Sequence, residues 1–149
     1  MAREPDLDCP IARSLAIFGE RWTLLILRES LLGTTLFSDF SANLGIATDV
    51  LSQRLRTLVE SGVMRRVAYQ VPGQRAREAY ELTEAGRAAG LILGALGQWG
   101  EKYLPRGTAS TTTVTSTDGG QTIHVAFVDE SGREVPRDSI RLVSANRAQ

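Results

Sequence analysis

The sequence predicts an α+β chain organised around a winged helix-turn-helix, and three observations support that. Two short amphipathic helical segments follow each other across a tight turn, "FSDFSANL" and then "TDVLSQRLRTLVE". Two β-like runs, "VMRRVAYQV" and "REAYELT", flank the turn signal "PGQRA". Further helical segments stand on either side of this unit. That order of two helices, a hairpin and a closing helix is the order of a winged helix-turn-helix.

Each element has a local reason. In "DCPIARSLAIFG" the apolar positions Ile11, Leu15, Ala16 and Phe18 recur near helical spacing, with Asp8 as the expected N-cap and Pro10 just inside the start. The segment "ERWTLLILRESLLG" is apolar nearly all round, so it is predicted to be buried and to stop at Gly33. Phe37, Phe40 and Leu44 mark a short third helix. In the fourth, Leu51, Leu55 and Leu58 share one face, and Gly62 suits a left-handed stop. The hairpin follows, and Thr83 is placed to cap a long helix from about Glu84 to Leu104.

Composition changes after Pro105. Residues 1–105 are read as the winged-helix domain, 106–118 ("RGTASTTTVTSTD") as a Thr/Ser-rich linker and 119–149 as a small β-rich extension. "TIHVAFV" alternates Ile123, Val125 and Phe127 on one face, and "REVP" and "SIRLVS" are further short strand candidates. About 30 residues cannot bury enough surface to stand alone, so this piece is expected to lean on the rest of the chain or on a partner chain.

Bulk properties exclude several classes. Apolar residues at 42% and charged residues at 23% fit a globular domain. No apolar run reaches the length of a membrane span, and "MAREPDLDCP" lacks the apolar core of a secretory signal. The single Cys9 cannot close an internal disulfide, so a cytoplasmic location without membrane contact is expected. The 17 basic and 17 acidic residues cancel, which argues against coating nucleic acid by bulk charge but leaves room for a local basic face. No Ser/His/Asp set, metal-ligand cluster or phosphate-cradling glycine loop is present, so neither an enzyme nor a cofactor is expected.

Such a local basic face exists. From Ala47 to Arg77 there are six Arg (54, 56, 65, 66, 75 and 77) against Asp49 and Glu60. A helix fits the DNA major groove, where Arg can hold guanine, Gln adenine, Ser either kind of base, and Asp the amino group of cytosine. Thr48, Asp49, Ser52, Gln53 and Arg56 on the polar face of the fourth helix, with Arg54 beside them, are the candidate reading set. Arg65, Arg75 and Arg77 on the hairpin are candidate phosphate contacts. The partner is then double-stranded DNA. The competing reading is a winged-helix protein-interaction module that does not bind DNA sequence-specifically; neutral net charge and Asp49 are what favour it.

The pieces "DCPI", "RWTLLILRES", "FSDF", "VLSQRLRTLVESGVMRR", "YELTEAGR" and "LGQWGEKYL" occur in one order from Cys9 to Leu104. As an ordered set they resemble the HxlR-type winged-helix transcription regulators of bacteria. The resemblance implies a homodimer joined through the first and the long last helix. A pseudo-palindromic operator then follows from the two-fold axis. It also implies that the helix near Thr48–Glu60 enters the major groove and that Val63–Thr83 is the wing. Ala47, Asp49 and Ala79 depart from the residues common in the family at those places.

Relatives that sense oxidants or electrophiles carry a Cys where Cys9 stands, so the resemblance implies a redox switch there, or more broadly a small-molecule or electrophile effector; the alternative is a small packing contact. Gly86, Gly90 and Gly94 repeat every four residues, which reads as a smooth stripe for a partner helix or as a loosely built one. Phe18, Trp22, Trp99 and Tyr103 are expected to pack rather than line a ligand pocket, and His124 to be structural or exposed.

Overall fold

The apolar stripes of the first hundred residues become six helices and a hairpin in a computed structural model that describes residues 8–143. Residues 1–7 and 144–149, at the two ends of the domain division read from the sequence, lie outside the described residues. Helix α1 (Pro10–Phe18) has Cys9 rather than Asp8 at its N-cap, without a side-chain cap hydrogen bond. Pro10 sits in its first turn, where a missing N–H costs nothing. Helix α2 (Arg21–Leu31) buries Thr23, Ile26, Leu27 and Glu29. Glu29 keeps partners in that setting: its carboxylate accepts from Arg28 Nη2 at 2.9 Å and from Asn43 Nδ2 at 3.2 Å.

Helix α3 (Phe37–Leu44) ends on Gly45 in the left-handed conformation, φ 59°. Helix α4 (Thr48–Glu60) follows after three residues, Gly45, Ile46 and Ala47. Leu51, Leu55 and Leu58 turn inward and join Ile26, Leu27, Phe40 and Met64 in one core. Phe18 and Trp22 pack against it, as expected of them. At its end Gly62, φ 73°, donates to Val59 O, while Val63 N donates to Leu58 O, each at 3.0 Å. This is the reciprocal pattern by which a glycine closes a helix.

Strands β1 (Met64–Tyr69) and β2 (Arg77–Leu82) pair antiparallel with Arg65 opposite Glu81 and Tyr69 opposite Arg77. A third chain segment joins them, which the sequence did not announce. Leu36 bridges Ala79, and Tyr80 N donates to Thr35 O at 2.8 Å. A single bridging residue leaves no alternating pattern to read, but it ties the entry of α3 to the wing.

Thr83 caps helix α5 (Glu84–Ala88) by accepting from Gly86 N at 3.3 Å. The expected single helix is interrupted at Ala89, and α6 (Gly90–Tyr103) continues from there. Ala89 keeps helical angles and its N–H reaches both Ala85 O and Gly86 O, so the interruption is one tightened turn. The glycine stripe also has a different use from the one expected. Gly86 is buried, and a Cβ there would collide with the Val63 carbonyl oxygen. Gly90 approaches Leu31, and Gly94 approaches Val125 and Val114. Each of the three therefore meets a neighbour in its own chain.

The chain divides into two compact units, one through Leu93 and one from Gly94. The second unit consists of the rest of α6 and the extension. Thr115 bridges Thr122 across a turn, drawing the end of the Thr/Ser-rich stretch into a small hairpin. Strands β3 (Phe127–Val128) and β4 (Glu134–Val135) form a second hairpin. Its turn is organised by Asp129, whose carboxylate accepts from Ser131 Oγ at 2.6 Å and from Arg133 N at 3.1 Å. These bonds, that from Ser131 first, hold the Asp129 carboxyl below its ordinary pKa.

"TIHVAFV" is not one strand because the backbone of Val125 is already paired. The Gln98 side-chain amide donates to Val125 O and accepts from Val125 N, both at 2.9 Å. A helix side chain here takes the place of a neighbouring strand. "SIRLVS" does not form its expected strand among the described residues either: after Pro136 the chain makes a short 3-10 turn over Arg137–Ser139.

Candidate nucleic-acid interface

The turn between α3 and α4 is anchored by Ile46, which is buried, while Ala47 and Thr48 on either side of the helix start are exposed. With Leu51, Leu55 and Leu58 pulled into the core, the opposite side of α4 is committed to solvent. Thr48, Ser52, Arg56, Asp49, Glu60 and Gln53 fall on one arc of roughly 140° at 100° per residue, and all six are exposed. The five reading candidates therefore share a face on a helix held rigidly from behind. Thr57 Oγ1 bonds back to Gln53 O at 3.1 Å, so that hydroxyl is occupied within the helix.

Arg54 lies apart from this arc. It sits on the flank of α4, mostly covered, with Nη2 3.9 Å from Glu20 Oε2. Its Nε is buried without a hydrogen-bond partner. Arg54 joins α4 to the start of α2 across 34 residues of sequence.

The wing shows the same sorting of cations. Arg65 donates from both Nε and Nη2 to Glu81 Oε2, at 3.2 and 2.8 Å. Arg66 Nε lies 3.7 Å from Glu78 Oε2. Both carboxylates lie just beyond Arg77, where the charge count from the sequence stopped, and folding returns them to β1. Among the described residues Arg56, Arg75 and Arg77 have no ion-pair partner within 4.0 Å, and all three are exposed. They form a smaller basic set than the six Arg suggested, with one cation on the helix arc and two at the hairpin's turn. No helix among the described residues is long and apolar enough to cross a membrane.

Comparison with known proteins agrees with this architecture. The family model described as HxlR-like helix-turn-helix matches residues 17–108. Rv3095 of Mycobacterium tuberculosis, an uncharacterized HTH-type transcriptional regulator, is 49% identical over 96 residues, or 64% of this chain and 60% of that protein. This chain thus spans three-fifths of the length of that relative. The crystal structure of PA1607, a candidate transcription factor, is similar with a TM-score of 0.78 and 34% identity over 93% of this chain and 96% of that one. PA1374 from Pseudomonas aeruginosa gives 0.63 and 31%, covering 95% of each chain. Both likenesses run past residue 108 and so take in much of the C-terminal extension. The redox regulator HypR in its reduced form gives a TM-score of 0.58 and 26% identity over 65% of this chain and 95% of its own. With the helices, hairpin and turn glycines in place and the family model covering well over half its length, the chain belongs to the HxlR-like helix-turn-helix family, a family of transcription regulators and not of enzymes.

Proposed function

We propose that the protein is a dimeric, sequence-specific DNA-binding regulator of the cytoplasm that reads a pseudo-palindromic operator with the exposed arc of α4 and grips phosphates with its wing. The observation that carries this is the arc itself: Thr48, Asp49, Ser52, Gln53 and Arg56 are all exposed on a helix whose other face is fully buried. The unpaired Arg75 and Arg77 on the wing supply the positioning charge. Dimerisation is supported by large apolar side chains left exposed on α1 (Ile11, Leu15) and α6 (Leu91, Ile92, Leu96, Trp99 and Tyr103).

The test is a salt titration of DNA affinity. Arg75→Ala and Arg77→Ala should each weaken operator and random DNA alike and reduce the slope of log affinity against log salt by about 1. Arg65→Ala should change the slope less, because Glu81 already holds that guanidinium. No salt-dependent binding of the full chain to DNA from its own neighbourhood would favour the protein-interaction module instead.

The reading extends to a redox response. Cys9 is a free, partly exposed thiol at the N-cap of α1, and the relative HypR is a redox regulator solved in reduced and oxidised forms. Treatment with diamide or a quinone should change DNA affinity in the wild type and leave Cys9→Ser unaffected. Equal affinity in all four samples would make Cys9 a packing residue.

A further inference from the structure

Among its described residues the C-terminal unit has a backbone but no apolar interior. From Gly94 to Val143 the one buried residue is Gly94 itself. Every larger apolar side chain described in the extension except the partly covered Val125 and Val135 is exposed: Phe127 at 55%, Val128 at 63%, Leu142 at 88% and Val143 at 80%, with Ile123 and Ile140 also open, as is Val114 in the stretch before it. Two small hairpins held by Gln98, one bridge and a turn carboxylate have nothing apolar to close over. Yet the extension is kept in order on its helix, and two solved relatives are alike over 93% and 95% of this chain.

We infer that a second copy of this chain covers the extension, so that the β3–β4 hairpin and the end of α6 complete one hydrophobic core between two protomers. The inference rests on the dimer reading above. What favours a second copy is continuity. On α6, Leu91, Trp99, Ile92, Tyr103 and Leu96 fall on one arc of roughly 140° at 100° per residue, exposed throughout. Gly94 and Gln98, which carry the extension, lie on the adjoining side of the same helix. The helix face proposed for dimerisation therefore borders the side of α6 that carries the extension through Gly94 and Gln98.

Charge agrees with self-association. Between Gly94 and Val143 six carboxylates stand against five Lys and Arg, so like faces do not repel strongly. That near-neutral surface has nothing to attract DNA phosphates or anionic lipid.

The test uses the full chain. Phe127→Ser with Val128→Ser changes two exposed side chains, so the protomer should keep its far-ultraviolet spectrum. Sedimentation equilibrium should show the dimer dissociation constant rising at least tenfold, and on the order of a hundredfold if both side chains are fully covered. Hydrogen exchange supplies a second readout. Amides 126–128 of the wild type, outside the Gln98 pair, should be more strongly protected above that dissociation constant than on dilution below it. Unchanged dimerisation of the double variant would overturn the inference and leave the dimer reading standing. Protection independent of concentration would overturn it too, since the cover would then come from the same chain. A wild type that stays monomeric at high concentration would overturn both.

Discussion

Gly86→Ala should lower stability by about 3 kcal/mol, the upper end of the cost of overpacking a closed site. For a chain of this size that is a fall of roughly 6–12 °C in melting temperature. The reason is local and involves backbone. A Cβ on Gly86 would fall on the Val63 carbonyl oxygen and press on Leu82. Leu82 can adjust, but Val63 O cannot easily, because it accepts from Thr83 N at 3.1 Å and lies 3.0 Å from Thr83 Oγ1. Relief would have to lift α5 from the foot of β1, loosening the wing at its base. The comparison is Gly97→Ala, also helical, where a Cβ meets nothing within 4 Å. There the usual gain of about 0.5–1 kcal/mol from replacing a helical glycine should appear. Thermal melts of the two variants at one protein concentration decide the matter. Equal shifts would show that Gly86 is not held for close approach.

Helix faces and turn glycines could be read from the sequence because their causes are local. Leu51, Leu55 and Leu58 needed only the helical period, and Gly33 and Gly62 only a left-handed turn. The hairpin followed from Pro72-Gly73 between two β-like runs. What escaped depends on residues far apart in the chain. The bridge from Leu36 to Ala79 spans 43 positions and has no repeating pattern. Arg54 looks like its neighbours on α4 until Glu20 arrives from the start of α2. The basic wing looked stronger than it is because Glu78 and Glu81 are distant from Arg66 and Arg65 in sequence but cross-strand neighbours in the fold. In the extension, period-two alternation predicted a strand at Ile123–Phe127, but a Gln98 side chain had already taken the backbone of Val125.

Arg56→Ala and Gln53→Ala should each relax base preference at one operator position, at a cost of about 1–3 kcal/mol for the preferred base and little for other sequences. Both side chains leave α4 on the exposed arc, and Arg56 has no ion-pair partner among the described residues that would hold it away from a base edge. A guanidinium at such a place can bond guanine through two donors, and a carboxamide can do the same for adenine, so truncation removes discrimination as well as affinity. Asp49 sharpens the test because its charge opposes phosphate. Asp49→Ala should raise affinity for random DNA while losing preference at its own position, a combination that loss of fold cannot produce. Arg54→Ala should behave differently again. It strips the partner from Glu20 at the junction of α2 and α4, so it should lower the melting temperature and weaken all sequences together. Selection from a randomised operator, followed by affinity measurements at fixed salt, separates these outcomes. If Arg56→Ala and Gln53→Ala lower operator and random binding by the same factor, the arc is a phosphate-contacting surface, and base readout must come from another element.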